Sequence, residues 1–422
     1  MVLPNTPFEP KSAHGRMEKV FQTKVTSSLA ESHRTERTEH TSTPVAVRIA
    51  SIRHVDDVIP WSVTSLNAIL DLELDGAILT NQEFLETVFP DARLPFSIDQ
   101  ELLDRLPNVY SHSSWTQLPD YMESDHAAWL NSIGYDLEVV TGSPMEREWN
   151  ADFCNTPLPG SVTKRKPDII LLNRGSDQNN DTPREWSAVR GICEVTSEES
   201  FPARIRHTIR QKSFVTFATQ PDRRFVLSLS FSRDKFRFTA CDRAGLITSS
   251  TYDVDLDALV LLRILAGFMF SSSEVIGYDP SMHRGPQNDI KAITVQGMEY
   301  TVIEKIFSSE TVRGRATQCW RVRRDGVEYV IKDSWCVRER ESEITTLETL
   351  KGMEGVPQLF ASEDLMSFGN VDSTAARRVG IDKQEERIHR RLVIGPVAQP
   401  LSTFSSKKEL IQAFIDVIQS MF

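Results

Sequence analysis

The chain has no CxxC pair, no apolar stretch near its N-terminus and no excess of positive charge. It also has no apolar run approaching the ~20 residues that a membrane-spanning helix needs. Each absence excludes something. Five cysteines, at 154, 193, 241, 319 and 336, lack the paired spacing of a zinc ribbon or a disulfide scaffold, which suits a reducing compartment. Without an apolar leader or span, the sequence points to an intracellular protein, cytoplasmic or nuclear, with no membrane partner. A formal net charge of −11 argues against a dedicated nucleic-acid coat. What is present is the balance of a globular protein, 40% hydrophobic and 25% charged. At 422 residues it is long enough for two or three cores.

Texture changes along the chain predict an α+β protein. Residues 1–55 mix both charges with Ser, Thr and His and read as a disordered tail. In 56–134 apolar residues recur at helical spacing, as in Phe84, Leu85, Val88 and Phe89, punctuated by Pro90, Pro95 and Pro107, which predicts a helical lead-in. Residues 135–285 read as an α/β unit: strands at 135–140, 167–172 and 189–196, a surface insertion at 173–185, a basic-faced helix at 201–220, strands at 223–229 and 235–239, an apolar helix at 256–270 and a linker from 277. A last unit, 292–422, has strands at 300–307, 319–323 and 327–332, a helix at 338–350, strands at 355–362 and 391–395, and a final helix from 407. Asp325-Gly326 is the strongest hairpin signal in the chain.

Lys332 ends the strand Val327-Glu-Tyr-Val-Ile-Lys332, and Glu343 follows on the next helix, with Leu347 and Leu350 marking the same face as packed. A lysine in that position can meet ATP phosphates if a carboxylate on the adjoining helix holds it. This pair resembles that of a protein-kinase small lobe, a five-stranded antiparallel sheet with one helix. The resemblance implies ATP with Mg²⁺ as cofactor, a phosphate-covering loop at 308–317 and a hinge at Ile394-Gly-Pro-Val397, so that Gly314, Pro396 and Val397 join Lys332 and Glu343 as cofactor-binding candidates. The loop has one glycine where the kinase pattern has three, and Arg313 and Arg315 restrict the approach of its backbone to phosphate. His389-Arg390-Arg391 lacks the aspartate of a catalytic loop, and Ser367-Phe-Gly369 has serine where a metal-binding aspartate is needed, so no catalytic residue is assigned.

Cys193-Glu-Val-Thr, Thr219-Gln-Pro-Asp-Arg-Arg-Phe225, Cys241-Asp-Arg-Ala-Gly-Leu246, Ile276-Gly-Tyr-Asp-Pro280 and Gly355-Val-Pro357 together resemble the fungal-type protein kinase family over about residues 160–422. That resemblance implies ATP-dependent phosphorylation of a protein Ser/Thr, with Lys332 positioning phosphates and Glu343 holding Lys332. With no match to a catalytic loop, the expectation is a truncated, inactive chain. A pseudokinase or scaffold is the first alternative.

Upstream, Pro167-Asp168 and Glu194-Val-Thr196 resemble the PD-(D/E)xK core of restriction-endonuclease-like units, in which two carboxylates hold Mg²⁺. Asp168 and Glu194 are therefore the metal candidates, and a metal-dependent nucleic-acid-processing domain is the second alternative. Thr196 stands where the family's lysine belongs, while Glu123 and Lys212 offer a further acid and a replacement lysine. Lys164, Arg165, Lys166, Arg204, Arg206, Arg210, Lys212, Arg223 and Arg224 border this unit. With no interleaved aromatic platform they read as a solvated helix face and strand ends, and nucleic acid is not the favoured partner. Asp242, Arg243 and Asp279 read as turn-fixing residues. On the last helix, Leu410, Phe414, Val417 and Met421, with Ile411, Ile415, Ile418 and Phe422 beside them, predict an apolar face that expects a partner.

Overall fold

Two sheets organise the chain, and the apolar strands that build the first are covered on both faces. The computed structural model describes residues 62–161, 163–175, 184–339, 342–381, 385–399 and 403–419, all within the unit Thr43–Phe422. The expected tail at 1–55 lies outside them, as do most of the insertion at 173–185 and the positions of Met421 and Phe422.

The first sheet contains β1 (Ile78–Thr80), β2 (Arg147–Asn150), β3 (Ile169–Asn173), β4 (Gly191–Thr196), β5 (Phe225–Ser232), β6 (Lys235–Asp242), β7 (Gly245–Thr248) and β8 (Tyr252–Asp253). Its order is β1-β7-β6-β5-β4-β3-β2, with β8 on β6. Only β1–β7 and β4–β5 are parallel pairs. Every residue of β4 and β5 is buried, as a strand covered on both faces requires. One core lies between this sheet and helices α2 (Glu123–Thr141) and α4 (Ala258–Phe270). The other lies against α1 (Val63–Glu73) and α3 (Ala203–Thr219), the crossover that joins parallel β4 and β5.

The expected strand at 135–140 is instead the end of α2. Leu130, Ile133 and Leu137 are fully buried while Val139 is 81% exposed, a helical pattern that a short alternating window mimics. Gly142, at φ 70°, closes the helix with the left-handed conformation that glycine adopts freely. The lead-in is not purely helical either, because it supplies β1.

The second sheet has seven strands rather than the expected five: β9 (Met282–Arg284), β10 (Ile290–Val295), β11 (Met298–Ser308), β12 (Gln318–Arg324), β13 (Val327–Val337), β14 (Gln358–Asp364) and β15 (Arg387–Gly395). Its order is β9-β10-β11-β12-β13-β15-β14, antiparallel throughout. β9 falls in the expected linker. Asp325 and Gly326 both have positive φ, as a two-residue hairpin turn demands. β13 runs on to Val337, so α5 (Glu343–Thr349) starts later than the predicted helix, behind Ser342, whose hydroxyl accepts from the Ile344 N–H at 3.2 Å. On α6 (Lys407–Gln419), Ile411, Phe414, Ile415 and Ile418 are exposed. No helix of the described residues is long and apolar enough to cross a membrane.

Buried ion pairs join the sheets. Asp242, at the end of β6, holds Arg377 at 2.9 Å and Arg378 at 2.6 Å. Asp279 accepts from Arg391 of β15 at 2.8 Å, and Arg224 reaches Asp372 at 3.4 Å. Asp242 and Asp279 do fix turns, accepting the N–H groups of Ala244 and Ser281, but Asp242 also accepts from Arg377 and Arg378 and the second oxygen of Asp279 accepts from Arg391.

Candidate functional site

Lys332 lies in the middle of the second sheet, paired with Cys319 on β12 and Leu392 on β15. Its ammonium donates to both oxygens of Glu343, the first residue of α5, at 2.6 and 2.7 Å. Arg315, from the loop between β11 and β12, approaches the same carboxylate at 3.3 Å. Burial pushes the Cys319 thiol up to about 11, so it adds no charge to the floor of the site. Strand, hairpin and helix therefore bring together the two residues that local pattern had paired.

The other cofactor candidates are less uniform. Pro396 is exposed and Val397 half-buried, just beyond the end of β15. Gly314, at φ 135°, donates its N–H to the carbonyl of Arg243 at 2.9 Å, so that donor already has an acceptor in the first sheet's unit.

His389 and Arg391 serve the interior. The His389 ring stacks on Trp335 at 4.5 Å and faces Asp333 at 2.7 Å and Asp372 at 3.1 Å. Burial opposes its charge, but the two carboxylates outweigh that and raise its pKa to about 9. Asp279, Asp333 and His389 offer ligand atoms within 4.8 Å of one another. Arg391 bonds both aspartates, so the cluster already contains its cations.

In the first sheet, Asp168 precedes β3 and accepts the Val195 N–H at 3.0 Å. Lys212 of α3 donates to Glu194 of β4, and its ammonium is 3.7 Å from Asp168. Burial raises the Glu194 pKa to about 8; Lys212 pulls it down and Asp168 pushes it up. Thr196 accepts from Arg204 at 2.7 Å. Glu123 begins α2, and its charge, like that of Asp168, acts on the Cys154 thiol.

The basic cluster is only partly the solvated face that its sequence suggests: Lys164, Lys166, Arg204 and Arg206 are exposed, but the rest is buried. Arg210, Lys212, Arg223 and Arg224 are all buried. Arg210 pairs with Asp71, and Arg223 donates to the carbonyls of Val189, Arg190 and Ile276. Residues 210–217 of α3 are buried all round, because α1 covers the side that helical periodicity leaves open to solvent. Sequence reading also missed Glu73, which holds the loop after β11, although a carboxylate in line with Leu66 and Leu70 on an apolar helix face was a usable signal.

A family model described as fungal protein kinase matches residues 166–422, more than half of the chain. The chain belongs to the fungal protein kinase family. No characterised protein and no solved structure matches it significantly. The family match covers Lys332 and Glu343, and it also takes in Asp168, Glu194 and Lys212, so both charged constellations lie inside the fungal-kinase region.

Proposed function

We propose that this fungal protein kinase family member binds ATP with Mg²⁺ against Lys332 and Glu343, as the nucleotide-holding lobe of a protein Ser/Thr kinase. The observation that carries the reading is the two-oxygen contact of Lys332 with Glu343. It is supported by the strand run β11-β12-β13-β15-β14 with α5 between β13 and β14, the order expected of a kinase small lobe, extended here by β9 and β10. The residues fit the group: Lys332 is a partly exposed cation held in place by a carboxylate, and Pro396 and Val397 follow β15 where a hinge would meet adenine. Bound ATP supplies the transferable phosphoryl group. Lys332 orients its phosphates, and Glu343 keeps the ammonium from folding away. No described residue is assigned the base that takes the hydroxyl proton, so binding and orientation are the part of the activity these residues support, and a pseudokinase or scaffold role uses the same site. Thermal-shift titration with Mg-ATP tests this: a rise in Tm for wild type that disappears in Lys332→Ala supports the reading, and no rise in wild type rejects it.

A second reading concerns the first sheet, as a restriction-endonuclease-like unit that holds a divalent cation on Asp168 and Glu194. It is favoured by Lys212, which brings from α3 the ammonium missing at Thr196. The sequence α2-β2-β3-β4-α3-β5, with β4 and β5 parallel, is the order that this resemblance implies. Mg²⁺-dependent DNA cleavage that vanishes in Asp168→Ala supports it; absence of cleavage in wild type counts against it.

A further inference from the structure

The loop at 309–317 is the segment that would cover nucleotide phosphates, and its backbone is already engaged. The Arg313 N–H donates to the carboxylate of Glu73, and the Gly314 N–H donates to the Arg243 carbonyl at 2.9 Å. In return, the Arg243 guanidinium donates to the Thr311 carbonyl at 2.8 Å. Val312 is fully buried in the core that contains α1 and α3. At the far end of the loop the Trp335 N–H donates to the Arg315 carbonyl at 2.7 Å. A loop pinned in this way cannot turn Arg313 and Gly314 N–H groups toward a phosphate without breaking bonds to the first sheet's unit.

One side chain of the loop remains available. Arg315 is 54% exposed, and its guanidinium is 3.3 Å from the Glu343 oxygen that also receives Lys332. Two cations thus share one carboxylate, which leaves one net positive charge at the surface of the site. The Arg315–Glu343 contact is solvated and costs little to exchange. A guanidinium presents a planar fork of donors that matches phosphate oxygens, and it does so without close approach of the backbone.

We propose that Arg315 is a phosphate-binding residue for the nucleoside triphosphate, and that its side chain replaces the backbone cradle that a glycine-rich loop would supply. Without nucleotide it rests on Glu343; with nucleotide it turns to the polyphosphate beside Lys332, while Thr311, Val312, Arg313 and Gly314 stay docked. The proposal rests on the nucleotide reading above.

Calorimetric titration of wild type, Arg315→Ala, Arg315→Lys and Lys332→Ala with Mg-ATP, and separately with adenosine, tests it. Arg315→Ala is expected to weaken Mg-ATP by about tenfold or more while adenosine binding stays unchanged. Arg315→Lys is expected to retain part of the affinity, as a point charge without the fork. Wild-type affinity for Mg-ATP in Arg315→Ala, alongside loss in Lys332→Ala, overturns the role of Arg315 and leaves the nucleotide site standing. Equal weakening of ATP and adenosine also overturns it, because that is the mark of a structural effect. Absence of Mg-ATP binding in wild type overturns both.

Discussion

Among the described residues two lysine–glutamate pairs link a helix to a sheet, one at each sheet, and they differ chiefly in their access to water. The side chains of Lys212 and Glu194 are each 2% exposed. Lys332 and Glu343 are 20% and 32% exposed. In the first pair burial dominates, and Glu194 holds its proton up to a pH of about 8. The second pair stays within reach of a ligand arriving from solvent, where exchanging one partner for a phosphate has a small electrostatic cost. A buried pair is one that an incoming ion would have to displace, whereas a partly exposed pair is open to exchange with a ligand from solvent.

Breaking the ionic network that joins the sheets is expected to give the largest effect and to set the scale for the comparison. Arg391→Ala leaves Asp279 and Asp333 buried without their shared cation, and should cost about 3–5 kcal/mol in a denaturant titration. The same network predicts a pH dependence. His389 has a pKa raised to about 9, so its contribution is fully present below its ordinary value of 6.5 and is lost as pH rises through 9. The next effect expected is that of Lys212→Met. Lys212 pulls the Glu194 pKa down to about 8, so its removal raises that pKa further: below pH 8 Glu194 is protonated with or without the lysine, and as pH rises past 8 only the wild-type protein gains the ion pair, so the destabilisation should grow above pH 8.

Glu73 sharpens the contrast, since it is a buried glutamate with no lysine. Burial raises its pKa from 4.5 to about 8, against the opposing pull of the Arg313 and Val312 N–H groups, so the folded state loses stability as pH rises between those values. Glu73→Gln should therefore raise Tm at pH 9 and leave it unchanged at pH 4. Smallest of all, Lys332→Met should change stability by only ~0–1 kcal/mol. If it costs as much as Lys212→Met, the distinction between the two pairs fails.

Lys332 and Glu343 were legible in the sequence because everything that positions them is local: an Asp-Gly hairpin, the strand that follows it and a helix with a packed face. The nearness of Asp168, just ahead of β3, to β4 and its Glu194 was legible for a similar reason, since both sit in a recognisable spacing on neighbouring segments. What stayed hidden depends on contacts between distant segments. Nothing near Arg315 in sequence announces Glu343, and nothing near Arg391 announces Asp279. Arg223 and Arg224 looked like a surface patch because composition records charge without burial, and the carbonyls that satisfy Arg223 belong to other elements. The strand expected at 135–140 failed because six residues of alternating polarity fit either period, and only the buried neighbours at Leu130 and Ile133 decide between them.

The division of labour between the two pairs is tested most directly by calorimetric titration of Mg-ATP into wild type, Lys332→Ala and Lys212→Ala at one pH. Binding is expected in wild type and in Lys212→Ala, and its loss in Lys332→Ala. Equal binding in wild type and Lys332→Ala, or loss confined to a Lys212→Ala protein that is still folded, would contradict that division.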